Sequence, residues 1–287
     1  MKIIKNPREM QATADALRMQ GKRIGFVPTM GYLHEGHLSL LDKARELADV
    51  IVLSIFVNPT QFGPNEDLEK YPRDFERDES MAMERGTDII YYPDVNSMYP
   101  EGYQTEVQVT KLQRVLCGID RPIHFKGVAT VCTKLFNIVK PHYAVFGAKD
   151  FQQYLVIDRL VRDLNMDLKI VPGEIYREPD GLAMSSRNVY LTPEERKQAV
   201  RLSKSLKIAR EMVEKGERRA AVILDSVKKE VQKATLGKID YIELKSIPNL
   251  EKVEEKLDGP ALLALAVKFS VARLIDNTVL LGHIDPA

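Results

Sequence analysis

Short, continuous apolar runs separated by amphipathic stretches constrain this chain more than any other feature. They are Ile24-Gly-Phe-Val27, Val50-Ile-Val-Leu-Ser-Ile-Phe-Val57, Asp88-Ile-Ile-Tyr-Tyr92, Tyr143-Ala-Val-Phe146 and Leu168-Lys-Ile-Val171. Continuous rather than alternating runs are what strands covered on both faces of a parallel sheet require. Helix-period stripes fill the intervals: Leu38, Leu41, Ala44 and Ala48; then Val128, Val131, Leu135, Ile138 and Val139; then Leu155, Ile157, Leu160, Val161 and Leu164. Repeated strand–helix–strand units predict an α/β fold, a Rossmann-like doubly wound parallel sheet with right-handed crossovers. Ligands of such sheets sit beyond the carboxyl ends of the strands, so motifs that directly follow a strand gain weight.

The pattern changes near residue 190. Thr192-Pro-Glu-Glu195 reads as a capping box with proline at the first helical position. It opens one helix carrying Ala199, Leu202, Leu206, Ala209 and Val213 and ended by Gly216, and a second follows with Ala220, Leu224, Val227 and Val231 on one face. Strand-like runs at Tyr241–Leu244, Ala261–Val267 and Ala272–Asp276 close the chain. The expectation is a catalytic domain over residues 1–177 and a smaller α+β C-terminal domain, antiparallel in its strands, over residues 178–287.

Charge argues against one function class, a dedicated nucleic-acid binder, and leaves room for a local basic patch. Among 287 residues, 42 Lys+Arg face 41 Asp+Glu, a formal net charge of +1, which is not the basic excess of a nucleic-acid binder. Two cysteines, Cys117 and Cys132, are too few for a disulfide framework or a four-thiolate zinc site, and both fall in apolar helical segments, as buried reduced thiols do. The charged start Met1–Met10 lacks the apolar region of a signal peptide, and no apolar stretch is long enough to span a membrane. A soluble cytoplasmic protein is expected.

Four segments could carry chemistry. Pro28-Thr-Met-Gly-Tyr-Leu-His-Glu-Gly-His-Leu38 follows the first of these runs and opens a helix. His34 and His37, three apart, share a helix face, at a helix start suited to anions. Taken alone, the pair reads rather as two exposed helix-end histidines; zinc would need a third ligand from His124, His142, His283 or a carboxylate. Phe56-Val-Asn-Pro-Thr-Gln-Phe-Gly63 offers the amides of Asn58 and Gln61. Phe146-Gly-Ala-Lys-Asp-Phe-Gln-Gln153 offers Lys149 as a point charge for phosphate, or an ordinary capped helix with a solvated lysine. Ala183-Met-Ser-Ser-Arg-Asn188 places two hydroxyls beside Arg187, a fork for phosphate.

Together, a strand, an H-x-G-H at the next helix start and a late Met-Ser-Ser-Arg loop resemble the nucleotidylyltransferase superfamily, which includes class I aminoacyl-tRNA synthetases. Within it, residues 22 to 278 resemble the pantothenate synthetase (pantoate–β-alanine ligase) family. The resemblance rests on Pro28–His37, Phe56–Gly63, Tyr71-Pro-Arg73, Lys134-Leu-Phe-Asn137, Lys149-Asp150 with Gln152-Gln153, Arg177–Asn188 and Ala272-Arg-Leu-Ile-Asp-Asn277.

The resemblance implies an ATP-dependent ligase that condenses pantoate with β-alanine through a pantoyl adenylate, releasing AMP and diphosphate, as a cytoplasmic homodimer with neither a nucleic-acid nor a membrane partner. Carried over, Met30, Gly31, Tyr32, Leu33, His34, Glu35, Gly36 and His37 would surround ATP, with Gly147, Ala148, Lys149, Asp150, Tyr176, Met184, Ser185, Ser186 and Arg187 completing the nucleotide site. His34, His37, Lys149 and Arg187 would act on the phosphates. Gln61, Gln153, Asn58 and Arg121 would hold pantoate or β-alanine. Mg2+ would accompany ATP, with Asp78 as the candidate ligand, and the C-terminal domain would act as a lid. Two other functions fit the same motifs: a nucleotidylyltransferase that stops at an adenylated product, and a non-catalytic nucleotide-binding protein. The chain departs from the family at Ile123, where glycine is usual, and at Ala148, where a polar residue is common. Phe151 stands where the family varies, and the tail His283–Ala287 extends past the resemblance and is expected to fray.

Overall fold

The computed structural model describes residues 1–64 and 66–282; Asn65 and the tail His283–Ala287, with the expectation placed on it, lie outside the described residues. The chain forms two compact units. Among the described residues, the first comprises Met1–Ala148 and Gln152–Gly173, and the second comprises Lys149–Phe151 and residues 174–282.

The first unit is built on a six-stranded sheet. Its strands are β1 (Lys2–Ile4), β2 (Ile24–Thr29), β3 (Val50–Ile55), β4 (Ile89–Tyr91), β5 (Tyr143–Gly147) and β6 (Lys169–Gly173). They lie in the order β1-β4-β3-β2-β5-β6, and every neighbouring pair is parallel. The helices are α1 (Pro7–Met19), α2 (Glu35–Leu47), α3 (Phe75–Glu84), α4 (Val95–Met98), α5 (Cys117–Asp120), α6 (His124–Val139) and α7 (Phe151–Asp163). The central strands are buried almost throughout because apolar side chains leave both faces. Val27, Leu53, Ile90, Val145 and Val171 join Leu38, Leu41 and Ala44 of α2 in one core. From β2 the chain steps outward through β3 to β4, then returns to place β5 on the other side of β2. That reversal makes a switch point, and the crevice of a doubly wound sheet opens there, at the carboxyl ends of β2 and β5.

The second unit carries α8 (Pro193–Ala199), α9 (Arg201–Glu214) and α10 (Ala220–Val231). Its sheet, β7 (Lys238–Ser246), β8 (Ala261–Lys268) and β9 (Arg273–Leu280), is antiparallel as expected. Leu202, Leu206, Ala209, Ile223 and Val227 pack with Leu263, Leu265 and Val267 of the central strand.

Some expectations change. The single helix from Thr192 to Gly216 is broken at Val200, so α8 and α9 are separate, although the capping box at Thr192 and Glu195 is complete. Strand β1 was not foreseen: among the described residues it pairs with β4 alone, at the sheet edge, and two of its three residues are exposed. Cys132 is buried, and burial pushes its thiol up to about 12, while Cys117 is only half-buried. Ile123 takes an ordinary right-handed conformation, φ −95°, so the missing glycine imposes no strain. Among the described residues, no helix is long and apolar enough to cross a membrane.

Candidate active site

In the first unit, candidate residues gather on the segments leaving β2 and β3. After Thr29 the backbone turns sharply, with Gly31 at φ +83° and Tyr32 at φ +52°. A side chain on Gly31 would be strained by that φ, and its Cβ would lie 2.9 Å from Asp78 Oδ2. Asp78, on α3, closes the turn: its two carboxylate oxygens accept the amides of Tyr32 and Leu33, each at 2.7 Å. Arg77 on the same helix donates to the Leu33 carbonyl at 2.8 Å and lies over the Tyr32 ring. Burial raises the Asp78 carboxyl above the usual carboxylate range, although both amides pull the other way.

The turn delivers His34 as the N-cap of α2. Its ring stacks on that of His37, centroids 4.0 Å apart and planes 29° from parallel. The two imidazoles thus share one face of the first helical turn, beside the amides that a helix start leaves for anions. Leu33 is fully buried, with its amide and carbonyl both engaged in the turn, and Glu35 is paired with Arg85 at 2.6 Å.

From the end of β3, Asn58 and Gln61 are both buried, and Asn58 donates to Gln61 Oε1 at 3.1 Å. Gln61 Nε2 lies 3.2 Å from Met30 Sδ, which joins this segment to the turn after β2. Gln153 is half-buried in the first turn of α7. Its neighbour Gln152 has a supporting task, donating to Leu112 and Val115 carbonyls and accepting from Cys117 N.

Two expected ligand residues are already engaged within the protein. Asp78, expected as a magnesium ligand, is buried with each oxygen accepting one amide of the turn. Arg121 does not present a bare fork to an anion: its guanidinium embraces the carboxylate of Glu66 and reaches His124, whose Nδ1 lies 3.1 Å from the Gln61 carbonyl. The same guanidinium holds the Glu66 carboxyl below its usual range, outweighing the opposing effect of burial. For zinc, His124 is thus engaged, and His142 Nδ1 accepts the Ile24 amide at 2.9 Å; among the described residues no group of three or more His, Cys, Asp or Glu could hold a metal.

Gly147 ends β5 and Ala148 beyond it is buried. In the second unit, Lys149 pairs with Asp150 at 3.1 Å, and its carbonyl accepts from the Asn277 amide at 2.8 Å. Asp276 makes a two-bonded pair with Arg177, at 2.7 and 3.0 Å. The Met184–Arg187 loop is not wholly irregular: Ser185 caps a short 3-10 turn, Ser186–Tyr190, by accepting the Arg187 amide. Buried Asn188 ties that turn to the Ala183 carbonyl and to Glu178. Tyr176 is exposed.

Sequence reasoning did not find Glu66, Tyr99, Gly127 or the turn-holding role of Asp78. A signal existed for Asp78, which lies on the stripe of α3 between Phe75 and Ala82, where a charge on a buried face needs a partner.

A parallel sheet with a switch point beside its central strand, a histidine pair at the following helix start and a Met-Ser-Ser-Arg turn define a protein of nucleotidylyltransferase type. A sequence model of the Pantoate-beta-alanine ligase family matches residues 2–279. The chain is 58% identical over 280 residues to the pantothenate synthetase of Syntrophobacter fumaroxidans, covering 98% of this chain and 99% of that one. It is 56% identical over 280 residues to that of Thermotoga petrophila, covering 98% and 100%. Among solved structures, pantothenate synthetase from Thermus thermophilus superposes with a TM-score of 0.91 at 43% identity, covering 97% of this chain and 99% of that one. The pantoate-β-alanine ligase of Francisella tularensis, complexed with β-γ ATP and β-alanine, gives 0.80 at 33% identity, with 97% of each chain covered. The chain belongs to the pantoate–β-alanine ligase family.

Proposed function

We propose that this chain joins pantoate to β-alanine in two steps that share the site after β2 and β3. In the first, a pantoate carboxylate oxygen attacks the α-phosphorus of ATP; the bond to the bridging oxygen breaks and diphosphate leaves. In the second, the β-alanine amine attacks the acyl carbon; the C–N bond forms, the acyl C–O bond breaks, AMP departs and the amine gives up its proton. Adenylation supplies the leaving group that a bare carboxylate lacks, so no enzyme nucleophile is needed.

The observation that carries this reading is the stacked His34–His37 pair at the start of α2, on a turn fixed by Asp78. Imidazole N–H groups aimed at phosphate oxygens stabilise the negative charge that grows as the α-phosphorus is attacked. Gly31, Gly36 and the backbone of Met30 to Leu33 allow the nucleotide to approach closely. Gln61 and Gln153 bind pantoate. From the second unit, Lys149 serves as a point charge and Arg187 as a fork for phosphate, with the hydroxyls of Ser185 and Ser186 as further donors. Magnesium comes with the nucleotide, neutralising its phosphates while keeping several of its own waters, and no step here depends on Asp78 as its ligand. Homodimeric assembly and a cytoplasmic location are carried over from the family resemblance; light scattering tests the first and cell fractionation the second.

The deciding experiment follows AMP release with ATP and magnesium, adding pantoate and β-alanine separately and together, alongside exchange of labelled diphosphate into ATP. The expected result is exchange with pantoate alone and AMP only when both acids are present. Exchange without AMP release would leave adenylation standing and remove the amine acceptor.

A further inference from the structure

A glutamine can meet a ligand with its oxygen or its NH2, and atoms outside the pocket decide which face Gln61 shows. The decision begins at a main-chain carbonyl. Gly127 O can only accept, and the Asn58 side-chain nitrogen lies 3.1 Å from it, so the amide group there is NH2. The same NH2 reaches Gln61 Oε1 at 3.1 Å. The Asn58 oxygen is taken by the Tyr99 hydroxyl at 2.8 Å and the Thr60 hydroxyl at 3.0 Å. Burial pushes the Tyr99 phenol up to about 12, so it stays protonated as a donor. Asn58 is only 1% exposed, and both its amide hydrogens and its oxygen are spent on protein. Gln61 Oε1 is turned toward that NH2, which sets the Gln61 NH2 on the opposite side, toward the weakly accepting Met30 sulfur. Close packing holds the register: a Cβ on Gly127 would lie 2.5 Å from Thr60 O and 2.6 Å from Gln61 N, so α6 abuts this segment only because residue 127 is glycine.

We propose that Gln61 meets its ligand through its NH2, its orientation imposed by a relay from the Gly127 carbonyl through Asn58, and that it selects a ligand presenting an acceptor oxygen. The inference rests on the placement of pantoate at Gln61 given above; the partner atom is then a carboxylate or hydroxyl oxygen of that acid. Asn58 is a positioning residue that acts through Gln61, not a ligand contact. A hydroxy-acid analogue offering only a hydrogen at this point leaves the Gln61 NH2 unpaired and is rejected.

Three variants test the relay. Gln61→Ala removes the donor, and Asn58→Asp replaces the NH2 by an oxygen, which repels the Gly127 and Gln61 oxygens and turns the Gln61 amide around. Both are expected to raise KM for pantoate by about 10- to 100-fold, the effect of losing one hydrogen bond to a charged group, with KM for ATP at its wild-type value. A raised pantoate KM in Gln61→Ala with an unchanged one in Asn58→Asp would overturn the relay and leave the site in place. An unchanged KM in Gln61→Ala would overturn the placement of pantoate, and the relay with it. An equal rise for pantoate and ATP in Asn58→Asp would mark a structural residue and also overturn the relay. Should Asn58→Asp not fold, Gln61→Glu is decisive. Its pantoate KM must exceed that of Gln61→Ala at neutral pH and fall toward it as acid converts the carboxylate to a donor; parallel pH profiles would overturn the proposal.

Discussion

Asp78, Asn58 and Gln61 in the first unit are 1%, 1% and 7% exposed, whereas Tyr176 and Val189, flanking the Met184–Arg187 segment of the second, expose 41% and 63%. The first set reaches its geometry through buried bonds between segments far apart in sequence: Asp78 to the turn at Tyr32, Asn58 to Gly127. The second set is anchored at the backbone, by Asn188 and by the Arg196 bonds to Glu178 and Asp180, while Met184 to Arg187 remain half-buried at the surface. On the roles proposed above, the difference matches two demands. Groups that orient a reacting carboxylate gain most from being fixed before substrate arrives. Groups that gather a long, multiply charged phosphate chain can work as adaptable point charges and forks.

Mutation can break or sharpen this contrast. The largest effect is expected from His37→Ala, which should lower the single-turnover rate of adenylation by ~10²–10³, the scale of losing one transition-state donor; a near-normal rate would remove His37 from the chemistry. Next, Asp78→Asn keeps one acceptor but sets an NH2 against an amide, so denaturant unfolding should show a loss of about 1–3 kcal/mol, accompanied by slower adenylation. Arg196→Ala should cost at most about 1 kcal/mol, because its partners are partly solvated, and should leave the adenylation rate unchanged. Equal losses of rate in these last two variants would erase the distinction between the units.

The smallest effect is a pH dependence. The Thr192 amide, helped by Ser270, holds the Glu195 carboxyl at about 2 instead of 4.5. A lowered carboxyl stabilises the fold at pH values above its unfolded pKa and loses that contribution as pH falls through the folded one. The stability gap between wild type and Glu195→Gln should therefore be constant above pH 4.5 and close between 4.5 and about 2, as read from thermal midpoints across that window.

Much of the architecture was legible because buried parallel strands announce themselves as continuous apolar runs, and β2 to β6 each fall on one of the expected segments, with ends shifted by one or two residues. Strand β1 was hidden because Lys2-Ile-Ile4 exposes its lysine and first isoleucine and has one partner strand only. Within the candidate site, residues in compact motifs were found: His34 and His37 are three apart, as are Asn58 and Gln61. What escaped was whatever crosses the chain. Nothing near Asp78 shows that it will meet amides 45 and 46 residues earlier, and nothing near Arg121 announces Glu66, 55 residues away. Such pairings are products of topology, and local spacing carries no trace of them. The break at Val200 escaped for the opposite reason: its φ of −59° and ψ of −19° are nearly helical, and the apolar stripe runs through it without a change of phase.

The cap at Thr192 has a consequence for how the second unit is assembled in time. Glu195 spends one oxygen on Thr192 and offers the other to the amide of Ser270, 75 residues downstream. On a ribosome, the capping box can close early, but this second bond at the start of α8 waits until the turn between β8 and β9 has emerged. A nascent chain halted before Ser270 lacks more than a hairpin: one oxygen of Glu195, in the first turn of a much earlier helix, still waits for its partner.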